Sequence, residues 1–177
     1  TGYAADRDYS MEALQAGVDG GAEVLCLCET RGGSMIGEVQ SAVRDVVAAF
    51  GKKAKIGIHT HNDCGLAVAN SLVAVEEGAV HVQGVLLGFG ERTGNANLSA
   101  IIPDLQLKMK YDCIPSDKMK ILTSVCKEVS EITNVSMNPQ LPFVGSAAFA
   151  HKAGMHIDAV LKNPSAYEHI EPESVGN

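Results

Sequence analysis

The chain has 177 residues, of which 46% are apolar and 20% are charged, so it can bury a core and is neither disordered nor of low complexity. Its net charge of −7 and the absence of a basic, aromatic-rich stripe argue against nucleic acid as a partner. Apolar runs fall short of the about 18 residues that a membrane span needs, and no basic and apolar leader opens the chain. The five cysteines lack a C-x-x-C spacing, which favours reduced thiols. With neither a membrane span nor a leader predicted, we expect a cytoplasmic protein.

Helices and strands alternate along the first two thirds of the sequence. The strand at 23–29 is a nearly continuous apolar run, typical of a parallel strand covered on both faces, and the helices carry apolar residues at helical spacing. Ser10 is the expected N-cap of the first helix and Gly20 its stop. The predicted order is helix 10–19, strand 23–29, helix 36–50, strand 54–59, helix 65–77 and strand 80–87.

The spacing of the strands predicts how they are connected. Successive strands start about 31 and 26 residues apart, the length of a strand-helix unit joined by a right-handed crossover. We therefore expect a parallel sheet in an α/β fold. After the third strand, Pro103 conflicts with one uninterrupted helix, so the regular helical part is expected to begin near it.

The alternation of strands and helices ends near residue 112. A helix is predicted to open at Pro115, the turn-rich stretch 138–142 resembles a linker, and a last helix is predicted over residues 151–162. This change divides the chain into two predicted domains, residues 1–112 and 113–177.

Two histidines separated by one residue lie at the end of the second predicted strand. His59 and His61 point to the same side if the stretch is extended, because strand side chains alternate with period two. In parallel α/β folds, ligands bind at the carboxyl ends of strands, where Thr30, the histidines and the glycine-rich loop 88–95 converge. Imidazole nitrogens and the amide oxygen of Asn95 suit a divalent metal. The pattern predicts a metal site at His59, His61 and Asn95.

Other interpretations of these histidines stay open. Hydrogen bonds to neighbouring groups could satisfy both imidazoles without a metal. Cys26 and Cys28 could instead complete a zinc site with them, although cysteines in strands are usually small buried hydrophobic residues.

The loop residues beside the histidines also have two interpretations. Asp63 either caps the next helix or supports a ligand histidine. Glu91 and Arg92 either contribute to the site or form a pair on the surface.

The sequence resembles a known enzyme family in several stretches. They are GIHTHND at 57–63, AVANSL at 67–72, GERTGNANL at 90–98, AFAHKAGMH at 148–156 and YEHIEP at 167–172. These are similar to segments of the isopropylmalate, homocitrate and citramalate synthases, metal-dependent Claisen condensation enzymes built on a TIM barrel. Residues 101–108 and the stretch from Tyr167 are most similar to the citramalate synthase branch, which joins acetyl-CoA to pyruvate in isoleucine biosynthesis.

The resemblance implies roles for several side chains. His59, His61 and Asn95 match ligands of a divalent metal, which would be Mn, Mg, Zn or Co. Thr30 matches a threonine that contacts the substrate carboxylate, and Gly90 and Glu91 lie in the loop expected to bind substrate. His156 and Tyr167 match groups proposed for proton transfer, which reach the active site across a homodimer, whereas His151 is as easily structural as functional. The implied partners are acetyl-CoA and a 2-oxoacid, with isopropylmalate or homocitrate synthase activity as the alternative.

The chain departs from the family pattern in two respects. Glu29 and Arg31 differ from the residues common in relatives, which puts the substrate contacts of that loop in doubt. The family's first-strand motif, with its metal-binding aspartate, is expected well upstream. We therefore expect the last βα units of a (β/α)8 barrel followed by a small helical linker subdomain, because three strands cannot close such a barrel. An inactive fragment, or a module that binds a metal or anion without chemistry, is the competing hypothesis.

Overall fold

A parallel sheet forms the centre of the first of two units, Thr1–Asn97 and Leu98–Asn177, in a computed structural model that describes residues 2–177. Its strands are β1 (Val24–Glu29), β2 (Lys55–Thr60) and β3 (His81–Gln83), in the order β1-β2-β3. Both strand pairs are parallel, as the spacing of the strands predicted. The boundary between domains 1–112 and 113–177 stays a prediction.

The first unit contains four helices, of which the last three lie close to their predicted positions and the first was not predicted. They are α1 (Gly2–Ala5), α2 (Arg7–Asp19), α3 (Ile36–Phe50) and α4 (Ala67–Glu76). The predicted cap at Ser10 is wrong, because the Asp6 carboxylate accepts a hydrogen bond from the Tyr9 backbone N–H at 3.0 Å and starts α2 one turn earlier. None of the helices in residues 2–177 is both long enough and apolar enough to span a membrane.

Alternation along β2 separates the core from the opposite face of the sheet. Ile56 and Ile58 are each 2% exposed, and they pack with residues of α3 and α4 such as Val43, Val46 and Val73. Because side chains alternate, His59 is turned away from these helices. Burial of the isoleucines thus determines which way the histidine faces.

The prediction that the strands are covered on both faces is wrong for β1 within the described residues. Leu25 packs against the helices and is buried, whereas Val24 is 39% exposed and Cys28 is also exposed. The helices of this unit cover one face of the strand only.

The third strand is shorter than predicted. It ends at Gln83, and a 3-10 turn follows at Leu86–Gly88, in which Leu87 has a φ of 62°. Beyond β3, the Val85 backbone N–H donates to Ala96 O at 3.0 Å instead of extending the ladder with β2. This pairing closes the glycine-rich loop back toward the strand end.

The second unit is helical. It contains α5 (Leu98–Pro103), a π-helical segment (Asp104–Lys108), a 3-10 helix (Ser116–Ile121), α6 (Leu122–Thr133) and α7 (Gly154–Lys162). Pro103 ends α5 rather than beginning the regular part, so that prediction is wrong. The predicted last helix also begins later, at Gly154. A hydrogen bond of 2.8 Å from Thr123 Oγ1 to Val175 O ties α6 to the segment around residue 175, and Cys126 of the same helix is buried.

Candidate functional site

The two histidines of the H-x-H motif lie side by side, as the alternation of strand side chains predicted. Their ring centroids are 5.3 Å apart. His59 is half-buried at the end of β2, whereas His61, just beyond the strand, is only 8% exposed. Thr60 between them points the other way and bonds to Ala67 O and Ser71 Oγ of α4. Helix packing therefore directs both imidazoles to the same face.

Asn95 lies directly opposite His61. The two residues form an antiparallel bridge, flanked by hydrogen bonds of 3.0 Å from Asn62 N to Gly94 O and from Ala96 N to Thr60 O. Residues paired in this way have Cβ atoms about 4.5–5.5 Å apart on the same side. The Asn95 Nδ2 donates to Phe89 O at 2.9 Å, so Oδ1 is the atom suited to ligation. The structure thus brings the three predicted metal ligands together.

The chemistry of these residues fits a divalent metal. His61 Nδ1 is buried and has no hydrogen-bond partner, which is costly for an imidazole nitrogen unless it meets another group. Two imidazoles and an amide oxygen are a donor set that such ions accept. Within residues 2–177 no group of three or more His, Cys, Asp or Glu side chains is placed to hold a metal. Ligation of a metal by His59, His61 and Asn95 stays a prediction, and these three residues alone would fill only part of a coordination sphere.

The alternative zinc site with Cys26 and Cys28 has no support in this part of the chain. No group of three or more His, Cys, Asp or Glu side chains in residues 2–177 is placed to hold a metal, so the two cysteines and the two histidines do not converge on one ion. Cys28 is the neighbour of His59 across the β1–β2 ladder, but its thiol lies 3.8 Å from Cys26 O. Cys26 is half-buried and Cys28 is exposed, so neither is the fully buried small residue that strand cysteines usually are.

Two glycines shape the loop that carries Asn95. At Gly90, with φ +148°, a Cβ would come within 2.0 Å of Asn95 Nδ2. At Gly94, with φ +96°, a Cβ would lie 1.9 Å from Gly88 O. Both positions require glycine, because an L side chain there would be strained and would collide. The Asn95 N–H donates to the same Gly88 O at 3.1 Å, so the close approach at Gly94 also positions the ligand residue.

An arginine of the same loop joins three strand ends. Arg92 Nε and Nη2 donate to the two oxygens of Asp63, at 2.8 and 3.1 Å, and Nη2 also donates to Thr30 O. Arg92 holds the pKa of the Asp63 carboxyl below its ordinary value. Asp63 does not cap α4; instead the Asn62 Oδ1 accepts a hydrogen bond from Ala67 N at 3.2 Å. The arginine spans loops distant in sequence, so sequence reasoning missed this contact.

The predicted substrate-binding residues lie around this arginine. Thr30 is exposed at the end of β1, and Gly90 is exposed at the turn of the loop. Glu91 is 83% exposed at its side chain and lies 3.8 Å from an Arg92 nitrogen. Glu29, just before Thr30, is buried; its Oε1 accepts a hydrogen bond from Ser34, while its Oε2 has no partner. Substrate contact by Thr30, Gly90 and Glu91 stays a prediction.

The two residues assigned to proton transfer lie together in the second unit. The rings of His156 and Tyr167 are 4.4 Å apart. His151 is the third member of the cluster, 6.5 Å from His156 and 6.0 Å from Tyr167, and its Nε2 is buried without a partner. The catalytic role of His156 and Tyr167 stays a prediction, and the structure adds His151 as their neighbour.

Family models and curated relatives agree with the resemblance drawn from the sequence motifs. The sequence model of the family described as HMGL-like matches residues 3–134, and the one described as homocitrate synthase post-HMGL domain-like matches residues 143–177. An (R)-citramalate synthase from Synechocystis sp. is 48% identical over 99% of this chain and 33% of its own length. One from Aquifex aeolicus is 49% identical, with the same coverage. The chain therefore spans about a third of the length of these curated relatives.

A solved structure supports the fold alone. An HMG-CoA lyase from Acinetobacter baumannii, in complex with coenzyme A and 3-methylmalate, gives a TM-score of 0.63 at 18% identity. The match covers 82% of this chain and 46% of that chain. Together with the family match, it confirms the predicted fold class and the resemblance drawn from the sequence motifs.

Proposed function

Because the chain belongs to the HMGL-like family, we propose that the protein condenses acetyl-CoA with a 2-oxoacid, and that the 2-oxoacid is pyruvate, giving (R)-citramalate. The observation that carries the proposal is the placement of His59 and His61 on one face, opposite Asn95. The choice of pyruvate rests on relatives that are (R)-citramalate synthases and are 41–49% identical over 99% of the chain.

The three ligand residues would hold a divalent metal, which is Mn, Mg, Zn or Co. When bound, such an ion acts as a Lewis acid toward the keto and carboxylate oxygens of the 2-oxoacid. Thr30 lies at the end of the neighbouring strand and would contact the substrate carboxylate. Gly90 and Glu91 would border the same substrate from the loop. Arg92 is committed to Asp63 and Thr30 O, so its role is to hold these loops rather than to bind substrate.

Condensation needs groups that accept and donate protons. The acetyl methyl must lose a proton before its carbon can attack the keto carbon, and the new alkoxide must gain one. Water then cleaves the thioester and releases CoA. His156 and Tyr167 are the candidates for proton transfer because their rings are in contact.

A homodimer in the cytoplasm completes the proposal. In that arrangement His156 and Tyr167 of one protomer serve the site of its partner. Light scattering during size-exclusion chromatography tests it: a dimer mass is expected, and a monomer that retains full activity contradicts it.

A release assay for free CoA tests the activity. The protein, with any flanking sequence that its gene encodes, is incubated with acetyl-CoA and one 2-oxoacid, before and after removal of divalent metal by chelation. We expect turnover with pyruvate that chelation abolishes and metal restores. Asn95→Ala should lower kcat/KM by at least tenfold, whereas Asn138→Ala, in an exposed turn, should not change it.

The alternative substrate is 2-oxoglutarate or 2-oxoisovalerate. The match of residues 143–177 to a homocitrate synthase segment favours 2-oxoglutarate as the competitor. A higher kcat/KM for either acid than for pyruvate would replace the citramalate assignment, and CoA release that is insensitive to chelation would refute the metal site.

A further inference from the structure

Gln83 lies between His59 of the candidate metal site and a third histidine, His81. Gln83 is the neighbour of His59 across the β2–β3 ladder, and its Oε1 lies 3.2 Å from His59 Nδ1. Its Nε2 lies 3.2 Å from the Nε2 of His81, two residues earlier on β3. The three side chains thus form one line of hydrogen bonds, which no sequence motif indicated.

The chemistry of the amide determines where the protons of this line are. The Gln83 oxygen can only accept, so the His59 Nδ1 that faces it must carry the proton. A neutral imidazole carries one proton, and the His59 Nε2 is then left with its lone pair. At the other end the amide nitrogen donates, so the His81 Nε2 accepts.

We propose that Gln83 is a positioning residue that holds His59 in the Nδ1–H tautomer and presents its Nε2 to the divalent metal. The inference rests on the proposed function for the identity of that site. Ligand histidines commonly donate their second ring N–H to an oxygen that fixes tautomer and orientation. The reversed amide would donate to Nδ1, place the His59 proton on Nε2 and block ligation.

The position of Gln83 suits this role better than that of a loop residue would. Gln83 is the last residue of β3 and His59 the next-to-last residue of β2, and the ladder hydrogen bonds fix their register. His81 bonds to the amide nitrogen of Gln83 and His59 to the amide oxygen, so rotation of the amide group is restricted from both sides. The oxygen is thereby held in place beside the imidazole by two strands.

The tautomer can be measured directly in the metal-free protein. Long-range ¹H–¹⁵N correlation NMR of the histidine rings distinguishes Nδ1–H from Nε2–H. We expect His59 of the unsubstituted protein to be Nδ1–H, Gln83→Glu to keep that state, and Gln83→Leu to lose it. Gln40→Leu is the matched control, because Gln40 bonds to Glu77 on the helical side. An Nε2–H signal for His59 in the unsubstituted protein overturns the inference without any variant.

Metal affinity provides the second readout. Titration with Co²⁺, followed by its visible ligand-field absorption, is expected to show an affinity about 10–100-fold weaker for Gln83→Leu. Gln83→Glu should restore the affinity to within about threefold, since a carboxylate also accepts from Nδ1–H, and Gln40→Leu should match the unsubstituted protein. If Gln83→Leu binds Co²⁺ as tightly as the unsubstituted protein, the positioning role of Gln83 is refuted, while the proposed metal site is not. Absence of Co²⁺ binding in the unsubstituted protein refutes the proposed metal site instead.

Discussion

Substitution of Gly94 by alanine tests whether the loop geometry creates the Asn95 ligand position. A Cβ at residue 94 would lie 1.9 Å from Gly88 O, whereas ordinary contact begins near 3.4 Å. The loop must open by more than about 1 Å, well beyond the roughly 0.5 Å that a functional constellation tolerates. Asn95 is the next residue, and its backbone N–H bonds to the same oxygen, so it moves with the loop.

Gly21→Ala is the matched control. Gly21 has a φ of +88°, close to the +96° of Gly94, but nothing lies within 4 Å of its added Cβ. Both variants bear the strain of a left-handed alanine, about 1–2 kcal/mol. Gly94→Ala should lose about 1 kcal/mol more, because opening the loop breaks the hydrogen bond to Asn95.

Two measurements distinguish backbone strain at the substituted glycine from displacement of Asn95. Urea unfolding gives the free energy of unfolding, and competition with a fluorescent chelator gives the Mn²⁺ affinity. We expect Gly94→Ala to bind Mn²⁺ about 10–100-fold more weakly, and Gly21→Ala to bind it normally. Equal losses of stability, together with unchanged Mn²⁺ affinity in both variants, would refute the idea that the close approach at Gly94 positions Asn95.

Three further substitutions test other contacts. Thr60→Val removes a buried hydroxyl that bonds to α4 and should lower the free energy of unfolding by about 1 kcal/mol in urea titration. Arg44 lowers the pKa of Glu77 from 4.5 to about 2, so this pair stabilises the fold above pH 4.5 and loses its effect as pH falls toward 2. The melting-temperature difference between the unsubstituted protein and Glu77→Gln should shrink over that range; a constant difference contradicts it. Arg92→Lys cannot make the two-pronged contact with Asp63, so amide hydrogen exchange of the glycine-rich loop should accelerate; unchanged exchange would exclude a bracing role.

The short third strand shows where sequence patterns reach their limit. The sequence predicts one strand over residues 80–87, yet pairing with β2 stops at Gln83, and beyond it Val85 bonds to Ala96 and Leu87 takes a positive φ. A local pattern of side chains does not show which backbone groups pair. The glycine-rich loop that follows selects the partner, through contacts that a local pattern does not contain.

Local chemistry was sufficient for the architecture of the first unit and for the orientation of its histidines. Apolar runs punctuated by glycine determine alternating strands and helices, and period two then places His59 and His61 on one face. Tertiary structure alone decided which atoms meet: Asn95 opposite His61, Arg92 across Asp63 and Thr30 O, and Gln83 against His59. Such contacts depend on register and loop closure between distant segments, because hydrogen bonds form only within a few tenths of an ångström of the right geometry.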